Sequence, residues 1–154
     1  MLYLSSLCFF TVIAHAYALQ DTVSHHIATL LTCFSILNHA KFYDKAYPGK
    51  TLIRRGDQLF ASAAWFRSLL TCVQAYSIFL AEDSAGFNVV TAEWILSCAA
   101  LYYSIWVYHI GKKVDDRVRG AHYWHLSLHA AMIAKSHMLL DLKSRLGLLG
   151  ESCR

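Results

Sequence analysis

Residues 22–42, TVSHHIATLLTCFSILNHAKF, decide the fold. The run has no proline, and its length suits a helix crossing a bilayer, which takes about 17–25 residues. At 100° per residue, His25, Thr29, Thr32, Ser35 and His39 fall within one arc of about 120°. The segment therefore reads as an apolar helix with a single polar stripe. Residues 121–142, AHYWHLSLHAAMIAKSHMLLDL, repeat the pattern. There His122, His125, His129, Ser136 and His137 share an arc of about 120°. Lys135 and Trp124 lie on the opposite face, where Lys135 requires a snorkelling route or a protein partner. Three more apolar stretches, 3–19, 58–80 and 88–110, have similar length and no internal proline.

Composition agrees with this reading. Apolar residues make up 56% of the 154-residue chain and charged ones only 16%, against roughly 45–50% and 25% in average globular chains. Disordered, collagen-like and disulfide-scaffold classes are excluded. The expected fold is all-α: a polytopic membrane helix bundle of about five transmembrane helices in one domain. Its core is expected where 22–42 meets 121–142. Of the five cysteines, four lie within apolar segments and none forms a C-x-x-C pair, so packing is their expected role. The formal charge of +4 resides mainly in two basic connections. It points to anionic lipid headgroups rather than nucleic acid.

The connections predict topology. Lys41 to Asp57 carries Lys41, Lys45, Lys50, Arg54 and Arg55 beside Pro48-Gly49, and Gly111 to Gly120 carries Lys112, Lys113, Arg117 and Arg119. Gln20-Asp21-Thr22 and Glu82-Asp83-Ser84 hold no basic residue. Basic loops favour the cytoplasmic or matrix side, so the N-terminus is expected there, in a multi-pass arrangement. Lys143, Arg145 and Arg154 run against this count, and four spans with an interfacial last helix is the alternative. Ala16-Tyr17-Ala18 resembles a leader-cleavage site, although no basic residue precedes its apolar run.

Ionisable groups within a membrane mark function by default. The five-span topology brings His39, Asp57, His109, His122, His125 and His129 to one membrane face. His125 and His129, at i and i+4, project from one helical face toward a common point. With His39 they supply three imidazoles, the donor set of a catalytic zinc site with one open position. His122 and His125 offer an alternative i, i+3 pair. Asp57 is a candidate general base, and Ser35, one turn before His39, a candidate hydrogen-bond donor to a substrate oxygen.

The order Ser35-x-x-x-His39, a basic loop, Asp57 at the next helix start and a late His125-x-x-x-His129 resembles the integral-membrane hydrolase superfamily. That group includes the alkaline ceramidases, the adiponectin and progestin receptors and myomaker. The resemblance implies His39, His125 and His129 as zinc ligands, with Asp57 and Ser35 beside the metal. It implies hydrolysis of a lipid amide or ester. The superfamily has seven spans, and this chain has room for five.

Two other readings stay open. His25 and His39 stand about 21 Å apart along one helix face, a separation that resembles the two-haem helices of respiratory cytochrome b. His137 level with His25, and His122 or His125 level with His39, would then hold haem b by bis-His ligation. Arg67, mid-way along an apolar helix, requires an anion such as a haem propionate or a lipid phosphate. Alternatively, the polar stripes glue helices together in an accessory subunit of a larger membrane complex.

Overall fold

The computed structural model describes residues 2–39, 49–81, 89–113 and 121–149, and among them it is all-helical with no strand. The basic residues Lys41, Lys45, Arg117, Arg119 and Arg154, the acidic Glu82-Asp83-Ser84 and Cys153 lie outside the described residues, as do the side chains of His122 and Trp124.

The first apolar stretch forms two helices, α1 (Leu2–Leu7) and α2 (Phe9–Ala18), parted at Cys8. Thr11 closes this step: its backbone N–H and its hydroxyl both donate to the Cys8 carbonyl. The next break falls at Gln20, whose φ of 56° is left-handed. Asp21 then caps α3 (Thr22–His39), accepting from the Ser24 backbone N–H and from the Ser24 hydroxyl. This is the standard satisfaction of a helix's unpaired first-turn donors.

Helix α4 (Lys50–Ala81) starts eight residues before the expected span at 58. Lys50, Arg54 and Arg55 therefore lie on its first turns rather than in a loop. Lysine and arginine are good helix formers, so nothing after Gly49 interrupts the helix. Helices α5 (Val89–Lys113) and α6 (Ala121–Arg145) complete the chain.

Helix α6 is the hub, packing against α1, α2, α4 and α5, while α3 packs against α1, α2 and α4. The backbones of α3 and α6 do not approach within 8 Å among the described residues. The two helices meet instead through side chains, in the core cluster that holds Ala28, Leu31, Leu128, Met132 and Leu140 and at His39, His125 and His129. The N-terminal rod of α1 and α2 inserts between the two polar stripes, burying Ser5, Ser6, Phe9, Val12 and Ala16.

The interior is unusually polar. Thr32, Ser35, Ser68, Thr71, Ser97, Ser104, His129, Lys135 and Lys143 are buried, while Leu4, Phe10, Leu52, Leu59, Phe66, Leu80 and Leu96 are more than half exposed. Many of the hydroxyls are satisfied along their own helix, as in Thr32, Ser68, Thr71 and Ser136, which donate to carbonyls four residues back. Lys135 is fully buried and finds its partner in Ser68 Oγ at 2.8 Å.

Among the described residues one helix, Val89–His109, is long and apolar enough to cross a membrane, with Leu4–Ala18 a shorter apolar helix. The other helices carry enough histidine, hydroxyl and charged residues on their inner faces to lower their mean hydropathy.

Candidate metal centre

Three helix ends meet where α3 finishes and α4 and α6 begin. His39 is the last residue of α3, Asp57 lies in the third turn of α4, and His125 and His129 occupy the second and third turns of α6. The ring centroids of His39 stand 4.7 Å from those of His125 and 5.4 Å from those of His129. One ligand atom from each of the three histidines lies within 4.8 Å of the other two. The group could hold a metal ion.

Its chemistry fits that use. His125 Nε2 and His129 Nε2 face each other at 3.1 Å. Two such nitrogens share either a proton or a cation. Zinc–nitrogen bonds of about 2.0–2.1 Å place tetrahedral donors roughly 3.3 Å apart, so this pair already has the required spacing. His39 Nε2 is buried without a hydrogen-bond partner, and as a lone pair it would be satisfied by a ligated ion.

The far side of His129 is also prepared. Its Nδ1 lies 2.8 Å from Ser5 Oγ, and Phe9 packs edge-on against the ring at 5.4 Å. A ligating imidazole ordinarily donates its other N–H to such a partner, which sets tautomer and ring orientation. Beside this, Ser6 Oγ and Ser35 Oγ bond at 3.0 Å. The Ser5-Ser6 pair was not among the residues that the sequence singled out. Its signal was two adjacent hydroxyls in an otherwise apolar first helix.

Asp57 does not use an imidazole as its described partner. Its Oδ2 accepts from Asn38 Nδ2 at 2.7 Å, and Asn38 adjoins His39 in the chain. Burial pushes the Asp57 carboxyl up to about 6, against the opposing hydrogen bond from Asn38. The carboxyl therefore changes protonation close to neutrality. Asn38 is a second site residue absent from the sequence reading, since at 100° per residue it falls about 60° beyond the end of the polar stripe at Ser35.

Other expected members are not gathered here. His109 is exposed, with its ring beside Tyr108 at 5.8 Å. His25 and His137, the pair expected at one haem level, each have other partners. His137 stacks on His15 at 5.1 Å, and His25 stands beside Tyr17 and His26. His15 Nδ1 meets His137 Nδ1 at 2.8 Å, and His15 Nε2 meets Asp141 at 3.3 Å. These contacts occupy the imidazoles that haem would need.

At the opposite end of the bundle, Lys143 Nζ donates to Asp21 Oδ2. Burial works to raise the Asp21 pKa, but the bonds from Lys143 and Ser24 together hold it below the ordinary carboxylate value. Comparison of the chain with family models, with curated proteins and with solved structures found no match.

Proposed function

We propose that the protein is a multi-pass membrane protein whose His39, His125 and His129 bind a divalent metal, zinc by donor set, at a site for hydrolysing a lipid amide or ester. The membrane half of this reading is supported by the distribution of polarity: hydroxyls, His129, Lys135 and Lys143 share the interior with Leu31, Met132 and Leu142, while many large apolar side chains lie outside. Water would favour the reverse, whereas lipid favours this arrangement. The metal half is carried by one observation: three imidazoles converge from two helices with the Nε2 of His39 left unpartnered.

Bound zinc supplies a Lewis acid and brings the pKa of the water it holds to about 7. The chain's own residues then have separable tasks. Ser5 holds the His129 ring in one orientation. Asp57, a buried carboxyl held by Asn38, would take up and return a proton at its Oδ atoms. Ser35 can turn its hydroxyl from Ser6 toward a substrate carbonyl oxygen. The substrate class rests on the resemblance stated above and on the apolar surroundings.

The test is elemental analysis of detergent-purified protein, with the His39→Ala/His125→Ala/His129→Ala variant alongside. The expected outcome is about one zinc per wild-type chain and none in the variant, in line with a three-imidazole site. Equal metal in both, or none in the wild type prepared with zinc present, refutes the site. Turnover of fluorescent lipid amides and esters by the loaded wild type tests the reaction class.

A further inference from the structure

Away from the histidines, a cavity opens between α2, α3, α4 and α6. Its volume is about 50 Å³, within about 530 Å³ of empty space that is open on one side. Phe9, Leu31, Leu139 and Leu140 form its apolar wall, and Arg67 and Lys143 its polar end. The charges there do not balance. Asp21 is the one carboxylate in contact with these two cations among the described residues.

Asp21 is already engaged by three donors. Its Oδ1 accepts from the Ser24 N–H, and its Oδ2 accepts from Ser24 Oγ and Lys143 Nζ. Arg67 reaches Asp21 only at 3.9 Å through Nη2. Its Nε is buried with no hydrogen-bond partner. The neighbouring charges are engaged elsewhere: Arg145 pairs with Glu93, and Asp141 with His15. A guanidinium with a desolvated free donor, next to a second cation, attracts an oxyanion that can take two parallel N–H bonds.

We propose that this cavity is a binding site for an anionic lipid, whose phosphate sits on Arg67 beside Lys143 while an acyl chain follows the apolar wall outward. The cavity is too small for a whole lipid and large enough for headgroup oxygens. The exposed Phe66 and Leu70 that flank Arg67 on α4 offer the chain an apolar surface beyond it. The proposal rests on the membrane half of the proposed function and not on the metal half.

Native mass spectrometry of protein equilibrated in micelles of an uncharged detergent with equimolar phosphatidic acid and phosphatidylcholine tests it. Phosphatidic acid should be retained about tenfold over phosphatidylcholine, the effect of one charge-assisted hydrogen bond to a charged partner. Arg67→Gln should abolish the preference, and Arg67→Lys should keep part of it. Arg55→Gln, exposed on the first turns of α4, should leave it unchanged. Circular dichroism checks each fold, and if Arg67→Gln does not fold, Arg67→Lys carries the test.

Equal retention of the two lipids overturns the proposal, as does an Arg67→Lys variant indistinguishable from wild type. Loss of preference in Arg55→Gln equal to that in Arg67→Gln means diffuse charge attraction and also overturns it. Inorganic phosphate that competes as well as phosphatidic acid would make this a free-anion site and refute the lipid. A chain that stays in solution without detergent fails the membrane reading first, which separates the two failures.

Discussion

Ser5→Ala separates a metal centre from a packing cluster. Ser5 is buried, and its hydroxyl meets His129 Nδ1 at 2.8 Å. If His129 ligates through Nε2, Ser5 orients the ligand, and removing such a partner weakens metal binding roughly 10- to 100-fold. That corresponds to about 1.4–2.7 kcal/mol. In metal-free protein the same change removes one ordinary hydrogen bond, worth about 0.5–1.5 kcal/mol. Zinc affinity is measured by competition with a chromophoric chelator in detergent, for wild type, Ser5→Ala and Ser6→Ala. Ser6 is the proper control, being adjacent, buried and bonded to Ser35 instead. The expected order is a weakened Ser5→Ala with Ser6→Ala close to wild type. Equal affinities for wild type and Ser5→Ala refute the orienting role. Equal losses in both variants would mean that α1 has merely loosened.

Further outcomes follow from the charged groups and one close approach. Asp21→Asn should cost about 3–5 kcal/mol by stranding the buried Lys143 ammonium, read from denaturant midpoints in mixed micelles. Because the Asp21 pKa is lowered on folding, its contribution is present above the ordinary carboxylate value and lost as pH falls through the lowered one. Asp57 has the opposite sign: its pKa rises to about 6, so it makes stability fall between about pH 4 and 6. Asp57→Asn keeps an acceptor for Asn38 and should flatten that stretch of the stability–pH curve. A Cβ added at Gly56 would stand 2.3 Å from the Phe34 ring, which stacks on Phe60. Gly56→Ala should therefore destabilise by about 1–3 kcal/mol, and its unfolding midpoint checks this.

The helical spacing of His39, His125 and His129 was legible because a side-chain periodicity carries over directly into a shared face. Their common depth followed from the alternation of long apolar helices. The partners of these residues were not legible. Ser5 and Ser6 sit on a stretch whose hydropathy says only that it is apolar, and no periodicity announces which two helices it will separate. The partner of His137 was hidden for a related reason. Spacing along α3 placed His25 at the right height, but His15 on the inserted α2 stands closer to His137. Equally, the start of α4 at Lys50 was hidden, because hydropathy marks where a helix becomes apolar and not where its hydrogen bonding begins.

The bond between Ser5 and His129 joins residues 124 apart in the chain. Its loop is nearly the whole sequence, and long-range closures of this kind form late. A ribosome delivers α1 well before α6, so no growing chain that lacks α6 can assemble the three imidazoles. Ser6 can meet Ser35 before α6 is made, whereas Ser5 finds His129 only once α6 has arrived. Capture of a metal would then report that α6 has docked, and the ion would serve the newly made bundle as a seal on that step.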